Sequence, residues 1–101
     1  MHKVVVLYPH PQDEAKFRGY YAKGHIPLVQ KLPNLLGYRY GFGVEGMGAQ
    51  SPYFCIFEAD FADAATMMAS LQSPAGQALG PDMANYATTP PILLHYEVEK
   101  G

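Results

Sequence analysis

His25 is the residue of this chain best suited to moving a proton. It stands in the run Phe17-Arg-Gly-Tyr20-Tyr21-Ala-Lys-Gly24-His25-Ile-Pro27-Leu28, with aromatic rings before it and a helix-breaking Gly/Pro pair on either side. An unperturbed imidazole titrates near pH 6.5, which suits general acid–base work at neutral pH. Tyr21 lies one turn earlier, so on a continuous helix both side chains face the same way and reach one ligand. The bland alternative is that His25 satisfies loose carbonyls at a helix end, where an imidazole also complements the dipole. On the residues alone both roles stand.

Other residues invite chemistry more weakly. Tyr20, Tyr21, Tyr38, Tyr40 and Tyr53 could line a pocket for a flat ligand, their hydroxyls orienting its polar groups, or could be ordinary core. Cys55 is the sole cysteine. A reactive thiolate needs a cation or a helix N-terminus beside it, and its sequence neighbours supply neither, so a buried structural role is expected. His95, between Leu94 and Tyr96, reads as a second polar group of a pocket or as an edge residue. His2 and His10 are assigned no role. No two histidines stand three to five residues apart, so no metal site is expected. Asp60 and Asp63 are both explained by a helix entrance. Gly41-x-Gly43-x-x-Gly46 has dinucleotide-binding spacing but runs into a turn and a strand, with no helix N-terminus to receive a pyrophosphate.

The elements that must position these residues follow from periodicity. Val4 to Tyr8 reads as a strand, stopped by Pro9-His10-Pro11. Asp13 caps a helix in which Phe17, Tyr21, Gly24 and Leu28 share one face. Lys23-Gly24 and Pro27 predict a break near His25, with a restart to about Leu32. Tyr38 to Val44 is a strand with Tyr38, Tyr40 and Phe42 on one side, and the Gly-rich stretch from Glu45 to Pro52 turns the chain. Tyr53 to Ala59 is an interior strand. A second helix spans about Asp63 to Gln72, with an apolar stripe of Phe61, Ala65, Met68 and Leu71. Ser73-Pro74 opens another short helix, which Gly80-Pro81 should interrupt. Ile92 to Val98 is the last strand. The order β-α-β-β-α-β is the α+β, ferredoxin-like arrangement: a four-stranded antiparallel sheet with both helices on one face.

Composition bounds the rest. The 101 residues make a single domain, 1–101, with 16% charged residues and a net charge of -2. That balance gives no electrostatic footing for nucleic acid or an anionic membrane. No apolar run approaches a membrane span, and a short chain without disulfides fits a reducing, cytoplasmic setting. The helix-free face of the sheet is apolar on three of its strands. Such a face offers roughly 400 Å², about the largest apolar patch a soluble monomer tolerates. Burying it yields on the order of 10 kcal/mol per subunit, enough to offset association, so a homodimer through this face is expected.

The run Phe17-x-x-Tyr20-Tyr21-x-x-x-His25-x-Pro27-Leu28 resembles the ethyl tert-butyl ether degradation (EthD-type) proteins of the dimeric α+β barrel group. Tyr8-Pro9, Leu32-Pro33, Ser73-Pro74-x-Gly76-Gln77 and Asp82-x-x-Asn85-Tyr86 are similar to further parts of that family. The resemblance implies a dimeric barrel with a pocket between sheet and helices in each subunit. It leaves the chemistry open, because members and relatives include cofactor-independent lactone isomerases, oxygenases of polycyclic aromatics and operon accessories. The leading expectation is a cofactor-independent enzyme, an isomerase or an oxidoreductase, acting on a hydrophobic aromatic or lactone-like compound. In it His25 is catalytic, and Phe17, Tyr20, Tyr21, Tyr38, Tyr40, Cys55 and His95 line the pocket, with no cofactor and no metal. The alternatives are a non-enzymatic binder or accessory protein for a hydrophobic metabolite, and a cofactor-free oxygenase of phenolic or anthrone substrates.

Overall fold

The computed structural model describes residues 1–101. Strand β1 covers His2–Pro9, β2 Gly37–Phe42, β3 Tyr53–Phe61 and β4 Ile92–Glu97. They form one four-stranded sheet in the order β2-β3-β1-β4, and every pairing is antiparallel. Helical elements lie between β1 and β2 and between β3 and β4. The architecture is the ferredoxin-like one expected.

Register decides which side chains meet the helices. Val4 pairs with Ala59 and Val6 with Phe57, while Tyr38 pairs with Ala59 and Tyr40 with Phe57. Period-two alternation puts all of these on one face. Val4, Val6, Phe57 and Ala59 are buried there. Lys3, Val5, Leu7, Ile56, Glu58 and Asp60 point the other way, beside Ile92, Leu94 and Tyr96 of β4. Near the end of β1 the register slips between Tyr8 and Pro9, and Phe54 packs against Phe17 and Phe42 at 5.3 and 6.0 Å. Asp60 does not belong to a helix entrance as expected. It stays within β3 and holds Lys3 at 2.8 Å, while Asp63 alone caps the next helix, its side chain accepting from the Thr66 N–H.

The first helical segment is where the structure departs most from expectation. Helix α1 spans Glu14–Tyr20, capped by Asp13, whose side chain accepts from the Lys16 N–H. No break follows. The chain passes through a π-helical turn, Tyr21–His25, directly into α2, Ile26–Val29. Ile26 keeps right-handed helical angles, φ −59° and ψ −39°, and its N–H reaches back to the Tyr21 carbonyl. The extra residue in this turn resolves the proline conflict. Pro27 falls at the opening of a new helical stretch, where a missing N–H costs little.

Two smaller corrections concern the second helical layer. Helix α3, Ala64–Gln72, buries Met67 and Ser70, while Met68 is 45% exposed and Ala65 is exposed. The expected stripe was phased from Phe61, which belongs to β3 and so does not set the helix's rotation. The chain then coils through α4 (Pro74–Gln77), α5 (Leu79–Asp82) and a 3-10 turn (Met83–Asn85). Gly80-Pro81 lies inside α5. The interruption comes earlier, at Ala78, consistent with proline removing the bond to the carbonyl four residues before it, that of Gln77.

Candidate active site

A cavity of about 340 Å³ lies between the sheet and this second helical layer. Val4, Val6, Phe57 and Ala59 line it from the sheet, Val29, Leu71, Leu79 and Met83 from the helical elements, and Leu32 from the chain just after α2. No Lys, Arg, Asp or Glu contributes to its wall. It extends to β4, where Leu93 lines it while remaining 59% exposed. The residues with polar side chains along it are Tyr8, Tyr21 and His25.

The π-helical turn brings two of these together. The ring of Tyr21 stacks on that of His25 with centroids 5.2 Å apart. Tyr21 is wedged among Phe17 (5.5 Å), Tyr8 (5.5 Å), Tyr40 (5.4 Å) and Tyr86 (5.2 Å), which fixes its orientation. Its hydroxyl is buried with no hydrogen-bond partner. Such a group costs about 1–3 kcal/mol unless something else satisfies it. Burial drives its pKa far above the ordinary phenol value, so it remains a donor. The Tyr8 hydroxyl, 2.8 Å from that of Tyr86, is pushed up to about 12, chiefly by burial.

His25 is 3% exposed, and its Nδ1 lies 2.8 Å from Asp82 Oδ2. A carboxylate can only accept, so Nδ1 carries the hydrogen. In the neutral ring Nε2 is then a free lone pair, and no protein group bonds to it. Burial lowers the His25 pKa against the opposing pull of Asp82, keeping the ring neutral at pH 7. Burial alone would raise the Asp82 carboxyl, but hydrogen bonds from Tyr20, His25 and Asn85 together hold it below the usual carboxylate range. A neutral imidazole with Nδ1–H fixed and Nε2 free has a lone pair able to accept a proton.

The residues singled out in the sequence divide by place. Tyr21 and His25 line the cavity. Phe17 lies behind Tyr21, fully buried. Tyr20 is outside the wall, its hydroxyl donating to Asp82 Oδ1 at 2.6 Å. Tyr40 buttresses Tyr21, and Tyr38 stacks on Phe57 at 6.2 Å and accepts from Gln30. Cys55 is buried away from the wall, its thiol pushed up to about 12 by burial. His95 pairs with His2, ring nitrogens 2.8 Å apart, and does not line the cavity. Asp82 and Tyr8 were not expected at the site. The signal for Asp82 was the run Asp82-x-x-Asn85-Tyr86, which helical spacing places around one turn.

A profile of the EthD domain matches residues 9–90. The chain belongs to the EthD family. An uncharacterized 11.0 kDa protein of the thcB-thcC intergenic region of Rhodococcus erythropolis is similar to it, 29% identical over 98% of this chain and 96% of that one. An EthD family protein from Bacillus halodurans C-125 superposes with a TM-score of 0.88 at 25% identity, covering 98% of this chain and 99% of the other. An EthD-like protein from Ralstonia eutropha JMP134 has a TM-score of 0.76 at 26% identity, covering 98% and 94%. A dimeric ferredoxin-like protein of unknown function from Bacteroides fragilis, 17% identical with a TM-score of 0.67 over 96% and 95% of the two chains, shares the fold alone.

Proposed function

We propose that this EthD protein is a cofactor-independent enzyme that moves a proton on a small, uncharged, hydrophobic carbonyl compound, aromatic or lactone-like. The observation that carries this reading is the His25–Asp82 pair, which leaves Nε2 without a protein partner on a residue that lines an apolar cavity together with Tyr21. A wall without fixed cations disfavours carboxylate or phosphate ligands. The free nitrogen accepts a proton from a carbon next to the carbonyl, and the C–H electron pair becomes the enolate C=C. The carbonyl oxygen takes up the negative charge and accepts the Tyr21 hydrogen bond. Where the substrate carries a C=C one bond beyond that carbon, the enolate is conjugated with it. Nε2–H then returns the proton at the far alkene carbon while the double bond moves next to the re-formed carbonyl, an isomerisation that balances without a further reactant.

His25→Ala tests this directly. We expect a folded protein whose turnover falls by at least about a hundredfold, the usual share of general acid–base catalysis. Undiminished turnover would refute the role. A phenol or anthrone oxygenase would use the same base but consume dioxygen, so oxygen uptake separates it. A mere binder would hold its ligand equally well from about pH 5 to 8.

The same reading includes a homodimer. The helix-free face exposes Ile92 (42%), Leu94 (51%) and Tyr96 (50%) beside half-buried Val5, Leu7 and Ile56. The dimeric state of the Bacteroides fragilis fold neighbour supports it. Sedimentation should give a dimer for the wild type and a monomer for Leu94→Glu. Burial of the free Cys55 thiol is compatible with the reducing, cytoplasmic setting we assign.

A further inference from the structure

Gly24 has no conformational need to be glycine, since it lies within the helical turn and not at a positive φ. Glycine is the poorest ordinary helix former, so its presence there calls for a spatial reason. The reason is Tyr20. A Cβ added at Gly24 would lie 2.8 Å from Tyr20 Cζ and 2.9 Å from Cε1, closer than real Cβ contacts come. The Tyr20 ring therefore rests on the bare backbone of Gly24, one turn along the helix.

That seat determines where the hydroxyl goes. It donates to Asp82 Oδ1 at 2.6 Å and accepts from Asn85 Nδ2 at 3.1 Å. Asn85 Nδ2 also reaches Asp82 Oδ1 at 3.1 Å. Oδ1 is thus anchored by Tyr20 and Asn85, which turns Oδ2 towards His25 Nδ1 at 2.8 Å. We infer that Tyr20, seated on Gly24, is a positioning residue: it fixes the rotation of the Asp82 carboxylate so that His25 keeps its hydrogen on Nδ1 and its lone pair on Nε2. Tyr20 does not line the cavity, and its hydroxyl reaches His25 through Asp82. This rests on the acid–base reading of His25, but its readout does not require turnover.

The tautomer of His25 can be read from its ring nitrogen-15 shifts in the intact protein at pH 7.5, without any substrate. The wild type should show a single Nδ1–H form. Tyr20→Phe keeps the ring over Gly24 and removes only the hydroxyl, so the chain should fold while Nε2–H becomes populated alongside Nδ1–H. Gly24→Ala should give the same mixture, because the added methyl displaces the movable Tyr20 ring rather than the backbone. Combining the two should add nothing further, since both act through one hydroxyl. A wild-type tautomer in Tyr20→Phe would overturn the inference, whether or not Gly24→Ala folds. Fully additive effects in the double variant would overturn the link between Gly24 and Tyr20. If the tautomer responds as expected while His25→Ala retains full turnover, the positioning stands and the acid–base reading fails.

Discussion

Two histidine pairs are built into this small fold, and they differ in what their partners make of them. His25 meets a carboxylate at 2.8 Å, and His2 meets the imidazole of His95 at the same distance. Both His25 and His2 are buried, at 3% and 9% exposure. In the first pair the carboxylate decides the tautomer, so one ring nitrogen is a defined donor and the other a defined acceptor, on a residue that lines an apolar hollow. In the second pair either ring can donate, and neither lines the cavity. Residue type and burial do not separate a histidine suited to accept a proton from a strand-to-strand clasp. The identity of the partner and the space beside the free nitrogen do.

The largest expected contrast between the pairs is catalytic. With a neutral ketone or lactone that the protein turns over, His25→Ala should lower kcat/KM by at least about a hundredfold. His95→Ala should leave it within a few-fold. Equal losses in a steady-state assay would erase the distinction.

Stability should separate them next. Asp82 accepts from Tyr20, His25 and Asn85, so Asp82→Ala leaves the buried Nδ1–H of His25 without its partner and also releases half-buried Tyr20 and exposed Asn85. Urea denaturation should show a loss of about 2 kcal/mol, the scale of hydrogen bonds to a charged group. His95→Ala removes one ring-to-ring hydrogen bond and should cost about 1 kcal/mol or less.

Acid gives a third test. Burial lowers the His25 pKa below its unfolded value of about 6.5, so the unfolded chain takes up that proton more readily than the folded one. The contribution to stability is complete above about pH 6.5 and is lost as pH falls from there through the folded-state value. Urea midpoints at pH 7.5, 6.5 and 5.5 should decline more steeply for the wild type than for His25→Gln. A wild-type midpoint that rises with acid relative to that variant would mean that the pair binds its proton more tightly when folded.

The smallest effect is expected at Tyr21. Removing an unpaired hydroxyl should leave the unliganded protein as stable as the wild type or up to about 1 kcal/mol more so. A thermal melt of Tyr21→Phe should therefore be unchanged or shifted upwards, while turnover falls. A marked loss of stability would point to a structural bond at that oxygen.

Local patterns in the sequence carried the strands, the caps and the Tyr21–His25 pair. β-branched runs marked β1 and β3, and Asp13 and Asp63 each precede a helix by the spacing a side-chain cap requires. The partner of His25 was hidden by distance along the chain. Asp82 is 57 residues away and His95 is 93 from His2, and periodicity reports only neighbours within a turn or a strand. The π-helical turn was hidden for another reason. Gly24 and Pro27 are read as helix stops, yet the glycine makes room for Tyr20 and the proline opens a new helical stretch. Each residue obeyed its usual physics, but the tertiary use of that physics is visible only once the layers are packed.

Proton exchange at carbon tests the central claim most directly. Incubated in deuterium oxide with a panel of neutral cyclic ketones and lactones small enough for the cavity, the wild type should speed deuterium incorporation next to the carbonyl of at least one of them, as followed by proton NMR. His25→Ala should bring that rate back to the level without protein. Incorporation that is equally fast with and without the imidazole, or absent across the whole panel, would contradict the account.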